Sequence, residues 1–251
     1  MNTTTEHQKK FIHLFEKLAY IHDCLEILDA FLEWMMWGFC ADKSLNWDCA
    51  KKYKEDERKL FPEMYKHYIL HMNEVLNNKD WHDFFGQIYE EYAGRSRRDS
   101  KGQFFTPEHV CELMGAMIKS NTSTTGKGFA DPCCGSGRML LSFHVKEPGN
   151  YAVGCDLDRT CCLMTICNFL IHGVVGEVIW QDSLLNNFYG GWRVNQNLNN
   201  PFHEHFGTPH VISISHEESA IFKRIKTEPM LPIEPIMQEL NIPNTQQLSL
   251  F

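Results

Sequence analysis

The sequence predicts an α/β protein: a doubly wound, mostly parallel sheet preceded by a helical N-terminal domain. Three observations carry this expectation. The stretch Phe129-Ala-Asp-Pro-Cys-Cys-Gly-Ser-Gly-Arg-Met-Leu-Leu141 passes from a hydrophobic lead-in through an acid and two glycines into an apolar helical run. That is the order strand, tight loop, helix, and glycine's missing Cβ lets a ligand lie on the backbone there. Val153-Gly-Cys-Asp-Leu-Asp158 reads as a second strand ending in carboxylates, about twenty residues after the loop. From Pro107 onward strand and helix patterns alternate, which implies right-handed crossovers and a parallel sheet.

The N-terminal part is helical throughout. Residues 7–40 place Phe11, Leu14, Phe15 and Leu18, then Leu25, Ile27, Leu28, Phe31 and Leu32, at helical spacing. Residues 50–60 are densely charged and helix-permissive, Phe61–Leu76 repeats the helical pattern, and Asp80–Tyr92 is a further amphipathic segment. Residues 1–95 are therefore predicted as a helical domain.

Residues 96–226 are predicted as the α/β domain. Its helices are expected at Glu108–Ser120, Gly137–His144 and Arg159–His172. Its strands are expected at Gly128–Asp131, Tyr151–Asp156 and Glu177–Gln181, the last ending at Asp182-Ser183. A ligand would cross the carboxyl ends of these strands. Asn186–Asn200 is rich in asparagine, glycine and aromatics, a turn composition. His210–Ser215 is a candidate strand and Ser219–Lys226 a candidate short helix. Residues 227–251 carry Pro229, Pro232, Pro235 and Pro243 and read as an extended tail.

Composition narrows the class. At 251 residues the chain can bury one α/β core and a smaller helical one. No window approaches a membrane span, and the polar start Met1-Asn-Thr-Thr-Thr-Glu6 does not read as a signal peptide. Ten cysteines without such a signal point to a reducing, cytoplasmic setting. The pairs Cys133-Cys134 and Cys161-Cys162 lack metal-ligand spacing and read as small buried thiols. The histidines at 203, 205, 210 and 216 read as loop residues rather than metal ligands, and His67 and His71 as surface residues of one helical face. The net charge of −8 runs against unaided DNA binding, where phosphate neutralisation supplies much of the affinity. The best basic cluster, Arg95-Ser-Arg-Arg-Asp-Ser-Lys101, suits either phosphate contact or a solvated linker.

The segment from about Asp80 to Gly173 resembles the N6-adenine DNA methyltransferases of type I restriction-modification systems, in their S-adenosylmethionine-binding half. Five elements carry the resemblance, in order: Gly86-x-x-Tyr89-Glu90; Gly102-Gln-Phe-Phe-Thr-Pro107; Asp131-Pro-Cys-Cys-Gly-Ser-Gly137; the acidic strand end Asp156; and Asn168-x-x-x-His172-Gly173. The resemblance implies a Rossmann-like methyltransferase domain with S-adenosylmethionine as cofactor and double-stranded DNA as substrate. It also admits a separate specificity subunit as partner.

Residue by residue, the resemblance brings the backbone at Gly135 and Gly137 to the methionine part of the donor. Asp131 meets its ammonium, Phe105 and Thr106 sit near its carboxylate, and Asp156 accepts the ribose hydroxyls. Cys133 lies in the same loop, and Asp182 with Ser183 faces the adenine ring. Two plainer readings stand beside these: Asp156 as a cap for the following helix, and Thr106-Pro107 as an ordinary helix start.

On the acceptor side the family's motif is Asn-Pro-Pro followed by Phe or Tyr. The amide and the next carbonyl take the adenine's exocyclic amine, and the ring stacks on the flipped base. The candidate here is Asn199-Asn200-Pro201-Phe202, with Asn200 where the first proline belongs. Asn199, Pro201 and Phe202 are the predicted catalytic residues; a surface turn resembling the motif by chance is the competing account. The final five residues, Gln247, Leu248, Ser249, Leu250 and Phe251, resemble the peptide by which bacterial proteins dock on the sliding clamp of DNA polymerase. Alternatively they pack back on their own domain. The sequence thus predicts a DNA adenine-N6 methyltransferase or a subunit of one. The alternative is a catalytically inactive donor-binding or regulatory module of a restriction-modification or replication-associated complex.

Overall fold

The computed structural model describes residues 5–41, 45, 47, 51–93, 105–118, 126–201 and 207–222. Five helices come first: α1 Glu6–Ala19, α2 Cys24–Gly38, α3 Glu55–Arg58, α4 Leu60–Leu76 and α5 Phe84–Tyr92. Local chemistry starts the first two. The Thr5 side chain accepts from the Gln8 amide at 3.0 Å ahead of α1, and Asp23 accepts from Leu25 and Glu26 ahead of α2. The apolar residues predicted to recur on one face are buried as expected: Phe11, Phe15 and Leu18 on α1, and Ile27, Leu28, Phe31 and Leu32 on α2.

The rest alternates as α6 Glu108–Ile118, β1 Gly128–Asp131, α7 Arg138–Lys146, β2 Tyr151–Asp156, α8 Arg159–His172, β3 Gly176–Asp182, β4 Asn187–Val194 and β5 Val211–Ile214. The strands form one five-stranded mixed sheet in sequential order. β1, β2 and β3 run parallel; β4 pairs antiparallel with β3, and β5 antiparallel with β4. The sheet is therefore half parallel and half antiparallel rather than mostly parallel. The stretch Asn186–Asn200, read from composition as turn, contains β4. Its asparagines do make turns, since Asn186 and Asn195 take positive φ (54° and 57°) at the two ends. Between them Trp192 and Val194 are buried against the sheet.

On one face α8 lies against β2 and β3 with residues 160–170 buried on all sides. Behind it a continuous apolar cluster runs from Phe11 and Phe31 in the N-terminal helices to Cys161 and Phe169 in α8. The helices before residue 95 and the sheet thus share a core. Among the described residues the opposite face carries a smaller cluster, Val153, Cys155, Ile179 and Ile214, partly covered by Ala220 and Ile221. Cys111, Cys134, Cys155, Cys161, Cys162 and Cys167 are buried free thiols.

A buried polar centre ties helices to sheet. Asp83, fully buried, caps α5 by accepting from the Gly86 amide at 2.9 Å. Its carboxylate also accepts from Arg138 Nε at 2.6 Å, Ser136 Oγ at 2.5 Å and Asn168 Nδ2 at 2.8 Å. Glu90, two turns along α5, takes Arg138 in a second, bidentate contact at 3.2 and 2.7 Å. Burial alone opposes the charge on Arg138, but Asp83 and Glu90 reverse that and hold the guanidinium more firmly protonated than usual.

A chain of histidines lies beside this centre. His71, predicted to be a surface residue, is buried because α4 turns that face toward α1 and α5. Its Nδ1 meets Thr5 Oγ1 at 2.8 Å and its Nε2 meets His82 Nε2 at 3.3 Å. His172 Nε2 accepts the His82 amide at 3.1 Å. Burial, with mutual repulsion, lowers His71 and His172 from 6.5 to about 4, and lowers His82 despite Glu108 nearby.

Two outcomes follow for stability. Asp83→Ala removes the α5 cap and the more deeply buried of Arg138's two carboxylate partners, so urea unfolding should show a loss of about 3–5 kcal/mol; Asp83→Asn should fall between it and the native chain. Above pH 6.5 these histidines are neutral whether folded or not, so they leave stability unchanged. As pH falls from 6.5 toward about 4 the unfolded chain binds protons that the fold refuses, and stability drops. Urea midpoints measured across that window should fall, and His71→Gln should flatten the decline.

Candidate functional site

The loop between β1 and α7 is held from several directions. Asp131 closes a local turn by accepting the Cys133 amide at 3.0 Å. The Cys134 amide donates to Cys155 O at 2.8 Å, and Thr165 of α8 donates to Gly135 O at 2.9 Å. Asp156, at the end of β2, accepts the Gly135 amide at 2.8 Å on one oxygen and the Asp158 amide at 2.9 Å on the other. From the end of β3, Ser183 donates to Pro132 O at 2.8 Å, while Asp182 accepts from Leu184 and Leu185. Because β1, β2 and β3 run parallel, Asp131, Asp156 and Asp182 finish neighbouring strands at one edge of the sheet.

The two glycines have different duties. Gly137 begins α7 at φ +86°, and a Cβ there would meet the Thr165 side chain at 3.1 Å. It allows α7 to pack against α8. Gly135, at φ +55°, faces the Phe105 ring, which a Cβ would meet at 3.0 Å. Phe105 is held in turn by the Tyr89 ring at 5.4 Å and by Arg138 over its face at 5.3 Å. Arg138 also donates to Thr106 O at 3.4 Å. Gly86 lacks a side chain for a reason as well: its Cβ would fall 1.9 Å from Asp83 Oδ2.

These residues surround a cavity of about 490 Å³, in the range of small-molecule sites. Phe105, Thr106, Asp131, Cys133 and Gly135 line it, together with Arg138 and the apolar Met114, Phe129, Met139 and Phe143. Gly137 stands behind it as the helix start; Asp156, Asp182 and Ser183 do not line it, and Asp156 and Ser183 meet its wall only through the Gly135 amide and Pro132 O. Burial raises the Asp131 carboxyl above its ordinary value against the help of the Cys133 amide. Burial likewise raises Asp156, where two amides work the other way and Asp158 and Asp131 add repulsion.

The predicted acceptor residues are elsewhere. Asn199 lines a separate cavity of about 320 Å³ with Gly126, Tyr151, Gly173 and Val175, which stand at or just before the amino ends of β1–β3. Pro201 follows on the surface, and Phe202 lies outside the described residues. The reason is strand direction. β4 starts beside the end of β3 (Asn187 opposite Asp182) and finishes beside its beginning (Val194 opposite Gly176), so it carries the next loop to the amino edge. Asn195 pins it there, donating to Phe169 O and Val174 O at 3.0 Å and accepting from the His210 amide at 3.1 Å. The structure therefore does not bring Asn199 and Pro201 to the cavity of Asp131 and Gly135. The basic segment 95–101 and the peptide Gln247–Phe251 also fall outside the described residues.

Sequence reasoning did not single out Asp83, Ser136 and Arg138. Their signal is present in retrospect. Gly86, Glu90 and Asn168 belonged to the recognised elements, and the contacts of all three converge on Asp83 or Arg138.

The N-6 DNA Methylase family model matches residues 80–223. The chain belongs to that family. Among curated relatives, the methylase subunit of the type I restriction enzyme MjaVIII from Methanocaldococcus jannaschii is 26% identical over 140 residues, covering 51% of this chain and 24% of that protein. The type II methyltransferase M.VspI from Vibrio sp. (strain 343) is 28% identical over 120 residues, 47% of this chain and 27% of that protein. The matched part thus spans about a quarter of each relative. No solved structure matches. The matched region of this N-6 DNA methylase family member begins at Asp80, so it includes the Asp83 cap, Glu90, the glycine loop and all three strand-end aspartates. Among the described residues no helix is long and apolar enough to cross a membrane, and no cluster of His, Cys, Asp and Glu is arranged to hold a metal.

The two glycines should separate experimentally. Gly137→Ala combines an unfavourable φ with the Thr165 clash and should cost about 1–3 kcal/mol. Gly135→Ala stays in the left-handed region that other residues reach and meets only a ring edge, so it should cost about 1 kcal/mol. Thermal unfolding of both variants checks the order.

Proposed function

We propose that this chain binds S-adenosylmethionine at the carboxyl edge of its parallel strands and serves as the donor-binding part of a DNA adenine-N6 methyltransferase. One observation carries the reading: three aspartates end three adjacent strands beside a glycine loop, and the first of them, Asp131, lines a cavity of about 490 Å³ together with that loop, inside the segment that places the chain in the N-6 DNA methylase family. On this reading the mixed sheet is a Rossmann-like methyltransferase sheet whose donor edge is complete.

The residues suit the donor's chemistry. A cationic donor favours a recess where, among the described residues, half-buried Asp131 and Asp156 form no ion pair. Asp131 would face its ammonium. A carboxylate has about four lone-pair sites, so Asp156 can keep the Gly135 and Asp158 amides and still accept ribose hydroxyls. Phe105, Thr106 and Cys133 would close the methionine end, with Asp182 and Ser183 toward the adenine ring. When bound, S-adenosylmethionine supplies an electrophilic methyl group on a sulfonium, and the protein's remaining task is to align an acceptor nitrogen with it.

Asn199 at the amino edge supports a division of labour, in which double-stranded DNA and the acceptor contacts are met by groups outside the described residues, a specificity subunit included. The same placement favours a second reading, a non-catalytic donor-binding or regulatory module. The clamp-docking reading of Gln247, Leu248, Ser249, Leu250 and Phe251 rests on the sequence alone.

Isothermal titration calorimetry with S-adenosylmethionine tests the donor site. Asp131→Asn and Asp156→Asn should each weaken binding about tenfold or more, while Asn199→Ala should leave it unchanged. Both carboxyls titrate above their ordinary range, so affinity should decline from neutral pH into the acidic range as they protonate. Absence of binding heat at saturating donor would sink the proposal. Tritium transfer from labelled donor to adenine-containing DNA separates the two readings: transfer selects the methyltransferase, donor binding without transfer the module.

A further inference from the structure

Among the described residues that line the 490 Å³ cavity, Arg138 alone carries a positive charge. A ligand bearing a carboxylate would ordinarily be expected to meet it. The hydrogen bonds of the guanidinium point elsewhere. It has five N–H groups, and four are already used: Nε donates to Asp83, Nη1 to Glu90 and to Thr106 O, and Nη2 to Glu90. Asp83 and Glu90 match its charge, and the residue is only 5% exposed. A ligand carboxylate would have to compete with two carboxylates already seated in short, charge-assisted contacts.

What Arg138 controls is the wall of the cavity that faces Gly135. Residues 105 and 106 precede α6 and belong to no helix or strand, so no backbone ladder fixes them. The guanidinium lies over the Phe105 ring at 5.3 Å, with the Tyr89 ring at 5.4 Å from the same ring. Thr106 O accepts from Arg138 at 3.4 Å and from the Cys111 thiol at 3.6 Å, which sets the plane of the Thr106–Pro107 peptide. The Thr106 hydroxyl makes no hydrogen bond among the described residues, and Thr106 lines the cavity. Lysine could pair with Asp83, but a point charge without a planar fork cannot also hold Glu90 bidentately, Thr106 O and the ring.

We propose that Arg138 is a positioning residue of the donor site: without touching S-adenosylmethionine, it sets affinity for the donor by holding Phe105 against Gly135 and the Thr106 carbonyl toward the protein. This rests on the donor-binding reading above, and it adds that α5, through Asp83 and Glu90, helps to shape the methionine end of that site.

A double-mutant cycle on donor affinity tests it, by isothermal titration calorimetry of the full chain with S-adenosylmethionine. Each variant is first shown to be folded by far-UV circular dichroism. Arg138→Gln and Phe105→Ala should each weaken binding about tenfold, and the double variant should stay within about twofold of the weaker single, because the second change removes a contact already lost. Arg138→Lys should bind as weakly as Arg138→Gln. Losses that multiply to about a hundredfold would mean that Arg138 meets the donor itself, and would overturn the proposal. Native affinity in Arg138→Lys would make charge rather than position the cause, and overturns it too. Should the Arg138 variants not fold, Glu90→Gln leaves the Asp83 pair in place and should weaken binding about threefold, again without adding to Phe105→Ala; full affinity in Glu90→Gln then overturns it. Absence of heat from the native chain would remove the donor-binding reading and this proposal together, whereas native binding with unchanged variants removes this proposal alone.

Discussion

The carboxylate of Asp83 holds this fold together at its most demanding point. It is fully buried, and an ionised group in that position survives only with several strong donors. It has four: a backbone amide of α5, the Arg138 guanidinium at the start of α7, the Ser136 hydroxyl in the glycine loop and the Asn168 amide in α8. They come from three separate stretches of chain, Ser136 and Arg138 belonging to one. Helical bundle, loop and sheet-packing helix are therefore fixed relative to one another by a single charge, with a precision that apolar packing alone does not impose. Arg138 extends the arrangement outward, since it also grips Glu90, reaches Thr106 O and covers Phe105. The wall of the cavity facing Gly135 is thereby positioned from the buried centre.

Strand direction is the second constraint, and it decides what the cavity can contain. Three successive parallel strands deliver Asp131, Asp156 and Asp182 to one edge without special pleading, because each crossover returns the chain to the same starting side. The reversal at β4 ends that series. A tight turn at 183–186, closed by Asp182 and the left-handed Asn186, sends the chain back antiparallel. The loop that follows Val194 emerges at the far edge, and Asn195 locks it there by bonding Phe169 O in the last turn of α8, before β5 runs back. A residue type suited to an acceptor site is thus present in the chain yet separated from the carboxylates by the length of a strand.

Most of this fold was legible in the sequence, for identifiable reasons. α1, α2, α4 and α8 announce themselves by apolar spacing, and β1, β2 and β3 by short apolar runs ending in acids. The glycine loop was readable because its chemistry permits few substitutes: Gly137 needs a left-handed backbone against Thr165, and Gly135 lies under Phe105. The failures share one cause. β4 was hidden since its glycines and asparagines are turn formers taken singly, and only pairing with β3 and β5 makes them a strand. His71 looked exposed because nothing local says which helix face meets α1. Arg138 carries no local sign of its role, which depends on Asp83, 55 positions away. Pairings across such distances leave no periodic trace.

Charge distribution explains how a net acidic chain can sit in a DNA methylase family. The carboxylates at the strand ends are costly in isolation: burial raises both Asp131 and Asp156, and they repel each other. On the proposed reading that cost favours a cationic donor, since a positive ligand relieves repulsion that water relieves only in part. The same negative field works against a phosphate backbone approaching that edge, and the net charge of −8 adds to it. One surface cannot be optimised for both. On the proposed reading, the cationic donor and the nucleic acid are therefore met by different surfaces.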